Sequence, residues 1–180
     1  YVTVTLSGDG ADELFAGYPT YQALKIANYI PPLLVSPLKK LVDMMPVSDN
    51  NISFDFKLKK FFSALKYEPA LRNQLWLGSF GPEQKTQLLH NDIKQETSGD
   101  EFQIIYDNLD NRKFSDDLKK ILYLDCKFYL QDNMLVKVDR ASMANSLEVR
   151  VPFLDHELVE FISNVPSNLK LKGFKTKYIQ

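Results

Sequence analysis

The chain has a single cysteine, Cys126, among its 180 residues, so it cannot form an intrachain disulfide. This scarcity is typical of proteins that stay in a reducing compartment. The chain also lacks an excess of either charge, since 22 basic and 23 acidic side chains leave a formal net charge of −1. Such a balance does not attract nucleic acid or anionic membranes, and no apolar run is long enough to cross a bilayer. Because no secretory leader is recognisable either, we expect a cytoplasmic globular protein.

What the chain does have is a glycine- and acid-rich stretch at residues 7–13, with the sequence SGDGADE. An alternating, strand-like run precedes it at residues 2–6, and apolar residues typical of a helix follow it. The pattern therefore predicts a strand, a turn and the start of a helix. Gly8 and Gly10 let backbone amides approach a ligand closely, and a helix start adds unpaired amides and a positive dipole end. This combination suits a phosphate group.

The same stretch carries three acidic side chains, Asp9, Asp12 and Glu13, which would repel a phosphate. A divalent cation between them removes the conflict, because Mg²⁺ is commonly bound by one or two carboxylates together with phosphate oxygens. The first interpretation is therefore a Mg²⁺-nucleotide or pyrophosphate site. The alternative is a polar loop in which Asp12 caps a helix, and a short turn of this kind does not decide between the two.

Most of the remaining chain is predicted to be helical. One amphipathic helix is predicted to begin at Ser53 or Asp55 and to extend to about Tyr67. Residues 115–117 are predicted to cap a longer helix that extends to about Gln131. In the first of these helices, the expected apolar face comprises Phe54, Leu58, Phe61, Phe62 and Leu65.

Two single residues are predicted to be structural. Trp76, the only tryptophan, is the expected anchor of a core or an interface. Cys126 lies within the longer helix, where no pattern of basic neighbours indicates a thiolate, so we expect a buried and unreactive thiol.

The strand at residues 2–6 cannot form a stable sheet by itself. Either later segments pair with it, or the chain is a piece of a longer protein. We favour the second interpretation and treat residues 1–180 as a single incomplete domain.

A second unusual stretch covers residues 132–155, where charged and apolar residues alternate at short intervals. A solvated surface would be more uniformly polar, and a core would carry fewer charges. We therefore expect semi-buried ion pairs in this stretch. The candidates for these pairs are Asp139, Glu148, Arg140 and Arg150. Pro152 ends the local structure, and Asp155 is predicted to begin a helix over residues 156–164.

Together the two stretches resemble the synthetase domain of glutamine-dependent asparagine synthetases. The first segment is SGDGADELFAGY at residues 7–18, and the second contains DRASMA at residues 139–144 and LEVRVPFLD at residues 147–155. Their order fits the family, and the resemblance extends over essentially the whole chain. It implies an α/β parent domain of the ATP-pyrophosphatase, adenine-nucleotide α-hydrolase-like type with a parallel sheet. This chain would be a mostly α-helical part of that domain, with one N-terminal parallel strand.

The resemblance also implies a function, that of a carbon–nitrogen ligase with glutamine as amido donor. Such an enzyme adenylates the side-chain carboxylate of aspartate with Mg²⁺ and ATP. Glutamine-derived ammonia then attacks the acyl-adenylate, giving asparagine, AMP and pyrophosphate. The family's N-terminal glutaminase and its upstream pyrophosphate loop are not among these residues, so we expect the isolated chain to be inactive. A homodimer formed through the parent protein is compatible with the resemblance.

Carried over residue by residue, the resemblance assigns the nucleotide contacts to Ser7, Gly8 and Gly10. Asp9 matches the acidic position tied to formation and breakdown of the acyl-adenylate. Asp12 matches the position associated with Mg²⁺ and pyrophosphate, whereas Glu13 is expected to face the helix start. Asp132 matches a second acid near the point of amine attack, and we expect Asp9 and Asp132 to face one cleft.

Two positions depart from the family pattern. Asp9 stands where many members have glutamate, whereas members that close β-lactam rings tend to carry tyrosine, so Asp9 favours intermolecular amide formation. Ala16 replaces a common glycine. Two alternatives stay open: a related amidotransferase or cyclase acting on another carboxylate, and an inactive family member that serves as a helical interaction module.

Overall fold

The computed structural model describes residues 2–49, 52–78, 80–96 and 100–180, which are mostly helical. In chain order the elements are β1 (Val4–Leu6), α1 (Ala11–Phe15), α2 (Pro19–Asn28), α3 (Pro32–Asp43), α4 (Phe54–Ala64), α5 (Pro69–Leu77), α6 (Pro82–Leu88), α7 (Asn91–Glu96), α8 (Gln103–Leu109), α9 (Asp117–Leu124), a π-helix (Asp125–Leu135), α10 (Val136–Met143), β2 (Glu148–Arg150), a 3-10 turn (Pro152–Leu154), α11 (His156–Asn164) and α12 (Ser167–Lys170). Among the described residues, no helix combines the length and the apolar composition that a membrane crossing requires.

The chain divides into two compact units. The first unit comprises Tyr1–Gln22 together with Phe114–Gln180, and the second comprises Ala23–Lys113. All six candidate site residues lie in the first unit, which therefore carries the functional question.

The sheet of the first unit has two parallel strands, with Val4 opposite Glu148 and Leu6 opposite Arg150. The predicted strand at residues 2–6 is confirmed in shortened form as β1. Its partner β2 was missed, because three residues with two charged side chains carry no strand-like apolar pattern. Parallel pairing also depends on contacts between residues far apart in sequence, which local patterns do not contain.

One continuous helical segment of the first unit runs from α9 through the π-helix into α10. Its start agrees with the prediction, because Asp116 caps α9 by accepting a hydrogen bond from the Lys119 backbone nitrogen at 3.0 Å. The segment extends beyond the predicted end at about Gln131 to Met143. Its winding changes from α to π at Asp125, which the sequence pattern did not predict.

The core of the first unit joins the two ends of the chain. Leu14 and Phe15 of α1 are buried against Ile162 and Val165 from the α11 region. The ring of Phe153 meets that of Phe15 edge to face, with the centroids 6.1 Å apart. Helix α11 has the predicted bounds 156–164 because Asp155 caps its first turn, where its carboxylate accepts hydrogen bonds from two backbone amides.

In the second unit, α4 packs against α3 and α5. Trp76 is buried there, stacks on Phe61 with centroids 5.4 Å apart and donates from Nε1 to the Phe61 carbonyl, so its predicted anchoring role is confirmed. The predicted apolar face of α4 is partly wrong. Phe54 is 71% exposed, whereas Asp55 is only 7% exposed, and its carboxylate accepts a hydrogen bond from the Ser48 amide.

Asp116 provides a test of how the first unit is held together. Burial alone would raise the pKa of its carboxyl, but hydrogen bonds from the Ser167 hydroxyl, the Lys119 amide and the Ser115 hydroxyl lower it overall. A lowered pKa contributes stability above the ordinary value of 3.8, and this contribution is lost as pH falls through the lowered value. We expect Asp116→Ala to cost about 1 kcal/mol near neutral pH and less in acid.

The measurement is the thermal unfolding midpoint of the full-length protein at several pH values. The control is Asp117→Ala, which removes the same charge from a side chain that accepts no hydrogen bond within the described ranges. A loss for Asp116→Ala that stays constant between neutral and acidic pH would contradict the prediction.

Candidate functional site

The glycine-rich turn follows β1 directly, as predicted. Gly10 is the N-cap residue of α1 and has φ 86°, a left-handed conformation that favours glycine. A Cβ atom at this position would also lie 2.4 Å from Leu154 Cδ2. At Gly8, by contrast, an added Cβ would meet nothing within 4 Å. The structure therefore requires glycine at position 10, whereas the surface beside Gly8 is open to a ligand.

The helix after the turn is short. Helix α1 has five residues and ends at Phe15, and its C-cap residue Ala16 is left-handed with φ 58°. The Ala11 amide already donates to the Gly8 carbonyl at 3.3 Å. A helix of one and a half turns has a small dipole, so an anion at this turn would depend on local amides, hydroxyls and a cation.

The three acids of the turn have three different partners. The Ser7 hydroxyl donates to Asp9 Oδ2, and both side chains are half-buried. Asp12 Oδ1 lies 2.9 Å from Lys177 Nζ, and both of these side chains remain partly exposed. The carboxylates of Asp9 and Asp12 are thus oriented by separate donors within the chain.

Glu13 has a different environment from the other two acids. Its side chain is almost fully buried, and the Tyr18 hydroxyl donates to Oε1 at 2.6 Å. Burial raises the pKa of Glu13, and the Tyr18 hydrogen bond opposes this shift without cancelling it. The Glu13 carboxyl also interacts with its own backbone amide in the first turn of α1, as expected for a side chain that faces the helix start, and it is buried there.

Lys177 is a site residue that sequence reasoning missed. Its amide donates to the Phe15 carbonyl at 3.2 Å, which brings the C-terminal segment onto the turn. Gly17 makes room for the ion pair, since a Cβ there would lie 1.8 Å from Asp12 Oδ1 and 2.3 Å from Lys177 Cε. No local signal links residues 165 positions apart (177 − 12), so only the folded chain reveals this pair.

Asp132 lies on the π-helix and is exposed. No hydrogen bond or ion pair joins its side chain to the turn within the described residues, so the cleft shared by Asp9 and Asp132 stays a prediction. The prediction of semi-buried ion pairs in residues 132–155 is wrong in one respect. Glu148 and Arg150 do pair at 2.7 Å, but their side chains are 54% and 66% exposed because both point to the solvated face of β2.

The donor set is compatible with magnesium but is small. Within the described ranges, no three His, Cys, Asp or Glu side chains form a cluster that could hold a metal ion. Mg²⁺ is usually bound by one or two carboxylates, with water and substrate phosphates completing its shell. The Asp12 carboxylate, with Asp9 nearby in the same turn, fits that pattern of few protein ligands. A cavity of about 630 Å³ in the second unit includes none of the candidate residues in its lining.

Cys126 agrees with its predicted structural role. It packs beside the core cluster of the first unit, and burial, together with the charges of Glu13 and Asp125, raises the pKa of its thiol to about 12. Near neutral pH the sulfur is therefore a protonated thiol and a poor nucleophile.

Comparison with known proteins adds an independent observation. The chain matches the family model described as asparagine synthase over residues 1–180. It is 32% identical to asparagine synthetase (glutamine-hydrolysing) 1 of Bacillus subtilis (strain 168), covering 99% of this chain and 27% of that protein. It is 29% identical to asparagine synthetase (glutamine-hydrolysing) 3 of the same organism, covering 98% of this chain and 22% of that protein.

A relative with a different name also aligns along the chain. Amidase chyE of Penicillium rubens (strain ATCC 28089 / DSM 1075 / NRRL 1951 / Wisconsin 54-1255) is 27% identical, covering 99% of this chain and 29% of that protein. The chain spans about a quarter of the length of the curated relatives it matches. No solved structure matches it.

The two glycines of the turn make a matched pair of variants. We expect Gly10→Ala to destabilise the protein by about 2 kcal/mol, because the new Cβ is strained at φ 86° and collides with Leu154. Gly8→Ala should change stability by less than about 0.5 kcal/mol, since its surroundings are open. Denaturant unfolding of the full-length protein measures both effects. Equal losses from the two variants would show that Leu154 does not constrain the turn.

Proposed function

Since the chain belongs to the asparagine synthase family, we propose that its full-length protein is an ATP-dependent amidotransferase. It would adenylate the side-chain carboxylate of aspartate and transfer glutamine-derived ammonia to it, giving asparagine, AMP and pyrophosphate. The names of the relatives support a glutamine-hydrolysing ligase. The parallel pairing of β1 and β2 supports the proposed α/β parent domain, of which these residues would form one incomplete part.

The observation that carries this proposal is that one acid of the turn is buried while the other two remain partly accessible. Glu13 is buried on Tyr18, whereas Asp9 and Asp12 stay partly accessible immediately after a parallel strand. Ligands of open α/β sheets bind beyond the carboxyl ends of the strands, which is where this turn lies. Two accessible carboxylates beside an open glycine surface are what a Mg²⁺-bound nucleotide requires, without a dedicated protein cage.

We assign separate roles to the residues of the turn. Ser7 and Gly8 would contact the nucleotide, and Gly10 would hold the backbone in the bend that exposes their polar atoms. Asp12 would bind Mg²⁺, which supplies neutralisation of the charge on the departing pyrophosphate. Because Lys177 contacts Asp12, this ion pair would have to open or rearrange when the metal binds.

The second half of the reaction needs a proton acceptor. In the first step, the substrate carboxylate displaces pyrophosphate from the α-phosphorus of ATP. In the second step, ammonia attacks the activated carbonyl, loses a proton and expels AMP. Asp9 would act at the acyl-adenylate, oriented by Ser7, and Asp132 would accept the proton near the incoming nitrogen.

A second candidate function has its own support. Amidase chyE aligns with 99% of this chain, so the same framework occurs in a protein with a different name. An amidotransferase or cyclase acting on another carboxylate would use the same turn and a different substrate pocket. Turnover of the purified full-length protein with aspartate and with other carboxylates distinguishes the two. Absence of adenylation with every carboxylate would instead favour an inactive member acting as a helical interaction module.

The Asp12 assignment gives a direct test. We expect Asp12→Ala in the full-length protein to reduce substrate-dependent ATP–pyrophosphate exchange by about 100-fold or more, roughly 3 kcal/mol of transition-state stabilisation. Glutamine hydrolysis should be retained, because it does not require this metal. Isotope exchange between pyrophosphate and ATP measures the first activity, and glutamate release measures the second.

The control is Asp117→Ala, which removes an exposed acid from α9 in the same unit. It should leave both activities unchanged. Normal exchange in Asp12→Ala would refute the metal assignment.

A further inference from the structure

Two tyrosines, one just before α2 and one in its first turn, donate hydrogen bonds to buried acids on two different elements. The Tyr18 hydroxyl binds Glu13 in α1, next to the turn. The Tyr21 hydroxyl donates to Asp125 Oδ2 at 2.7 Å, and both Tyr21 and Asp125 are completely buried. Burial raises the pKa of Tyr21 well above its ordinary value, so the phenol keeps the proton that it donates. The turn and the helical segment after α9 are thus connected through one short stretch of chain.

Asp125 is the residue at which the winding changes, because it begins the π-helix. In an α-helix, residues seven apart lie on the same face, so a buried Asp125 would place Asp132 on the core-facing side. In a π-helix the hydrogen bonds run from i to i+5, and each turn takes up more residues. The observed burial follows the wider turn, since Asp125 and Leu130 are buried five residues apart while Asp132 is exposed.

The π-winding is held by contacts with the stretch before and within α2. Tyr21 binds its first residue, and the ring of Tyr129, further along the π-helix, meets the ring of Tyr18 edge to face with centroids 5.6 Å apart. π-Helical turns are rare, so a segment of eleven residues needs such tertiary support. A buried hydrogen bond at its first residue is well placed to select π over α winding.

We propose that Tyr21 and Asp125 are positioning residues for the amide-forming step, because their hydrogen bond holds the π-winding that turns Asp132 out of the core. This inference rests on the function proposed above, in which Asp132 accepts a proton from the attacking nitrogen. Neither Tyr21 nor Asp125 contacts substrate. Both act through the direction in which Asp132 leaves the helix, so their loss should affect the second chemical step and spare the first.

The test uses Tyr21→Phe in the full-length protein, which removes one hydroxyl and keeps the buried ring. We expect ammonia-dependent amide formation to fall by about 10- to 100-fold, the effect of misplacing a reacting group. Substrate-dependent ATP–pyrophosphate exchange, in which Asp132 has no proposed role, should stay within about twofold of wild type. Tyr29→Phe is the matched control, because it removes a phenolic hydroxyl from a side chain that is 81% exposed, and it should change neither activity.

A double-mutant cycle separates positioning from general damage. If Tyr21 acts through Asp132, then Tyr21→Phe added to Asp132→Asn should cause no further loss of amide formation. Additive losses, equal losses in both steps, or failure of Tyr21→Phe to fold would each overturn the proposal, because each indicates a purely structural role. Failure of the proposed function has a different signature, since Asp132→Asn alone would then leave amide formation intact.

Discussion

The space above Gly10 is the constraint on which the first unit depends. The backbone turns there in a left-handed conformation, and Leu154 occupies the place where any side chain would stand. Leu154 reaches this position because β2 pairs with β1 and the 3-10 turn then brings the chain back over the start of α1. The SGDGADE and LEVRVPFLD stretches are therefore two sides of one contact.

The second organising feature is the way in which crowded negative charge is separated. Three carboxylates within five residues would be unfavourable if all faced one volume. Glu13 avoids this by entering the core, where its desolvation is offset in part by the Tyr18 hydroxyl. Asp12 pairs with Lys177 at the surface, an interaction worth only about 0–1 kcal/mol because water screens it. The buried acid is therefore structural, while Asp12 is held only weakly, which is compatible with the metal-binding role proposed above.

Features that depend on residues close in sequence were predicted correctly, whereas features that depend on distant residues were missed. Helix α11 and the start of α9 were predicted correctly because Asp155 and Asp116 cap their own next turns. Strand β2, the Lys177 ion pair and the π-winding were missed, because each depends on residues distant in sequence. The candidate site was proposed from the glycines and acids of one turn together with the family resemblance, because their spacing alone did not distinguish a ligand site from a polar loop. Which of those acids would be buried was not predictable, because burial of Glu13 depends on Tyr18 and on the core around Leu14.

The placement of the candidate acids also bears on how the two chemical steps relate. Asp9 and Asp12 lie in a turn at which Leu154 packs against Gly10, whereas Asp132 lies on the π-helix that begins at Asp125, the hydrogen-bond partner of Tyr21. The two supports meet in one stretch of chain, since Tyr18 contacts both Glu13 and Tyr129. If each support can be altered alone, the two steps proposed above would be separable in the full-length protein. Under the inference above, the direction of Asp132 would be set by the buried hydrogen bond between Tyr21 and Asp125, so the proposed second step could be lost in a variant that retains every candidate acid.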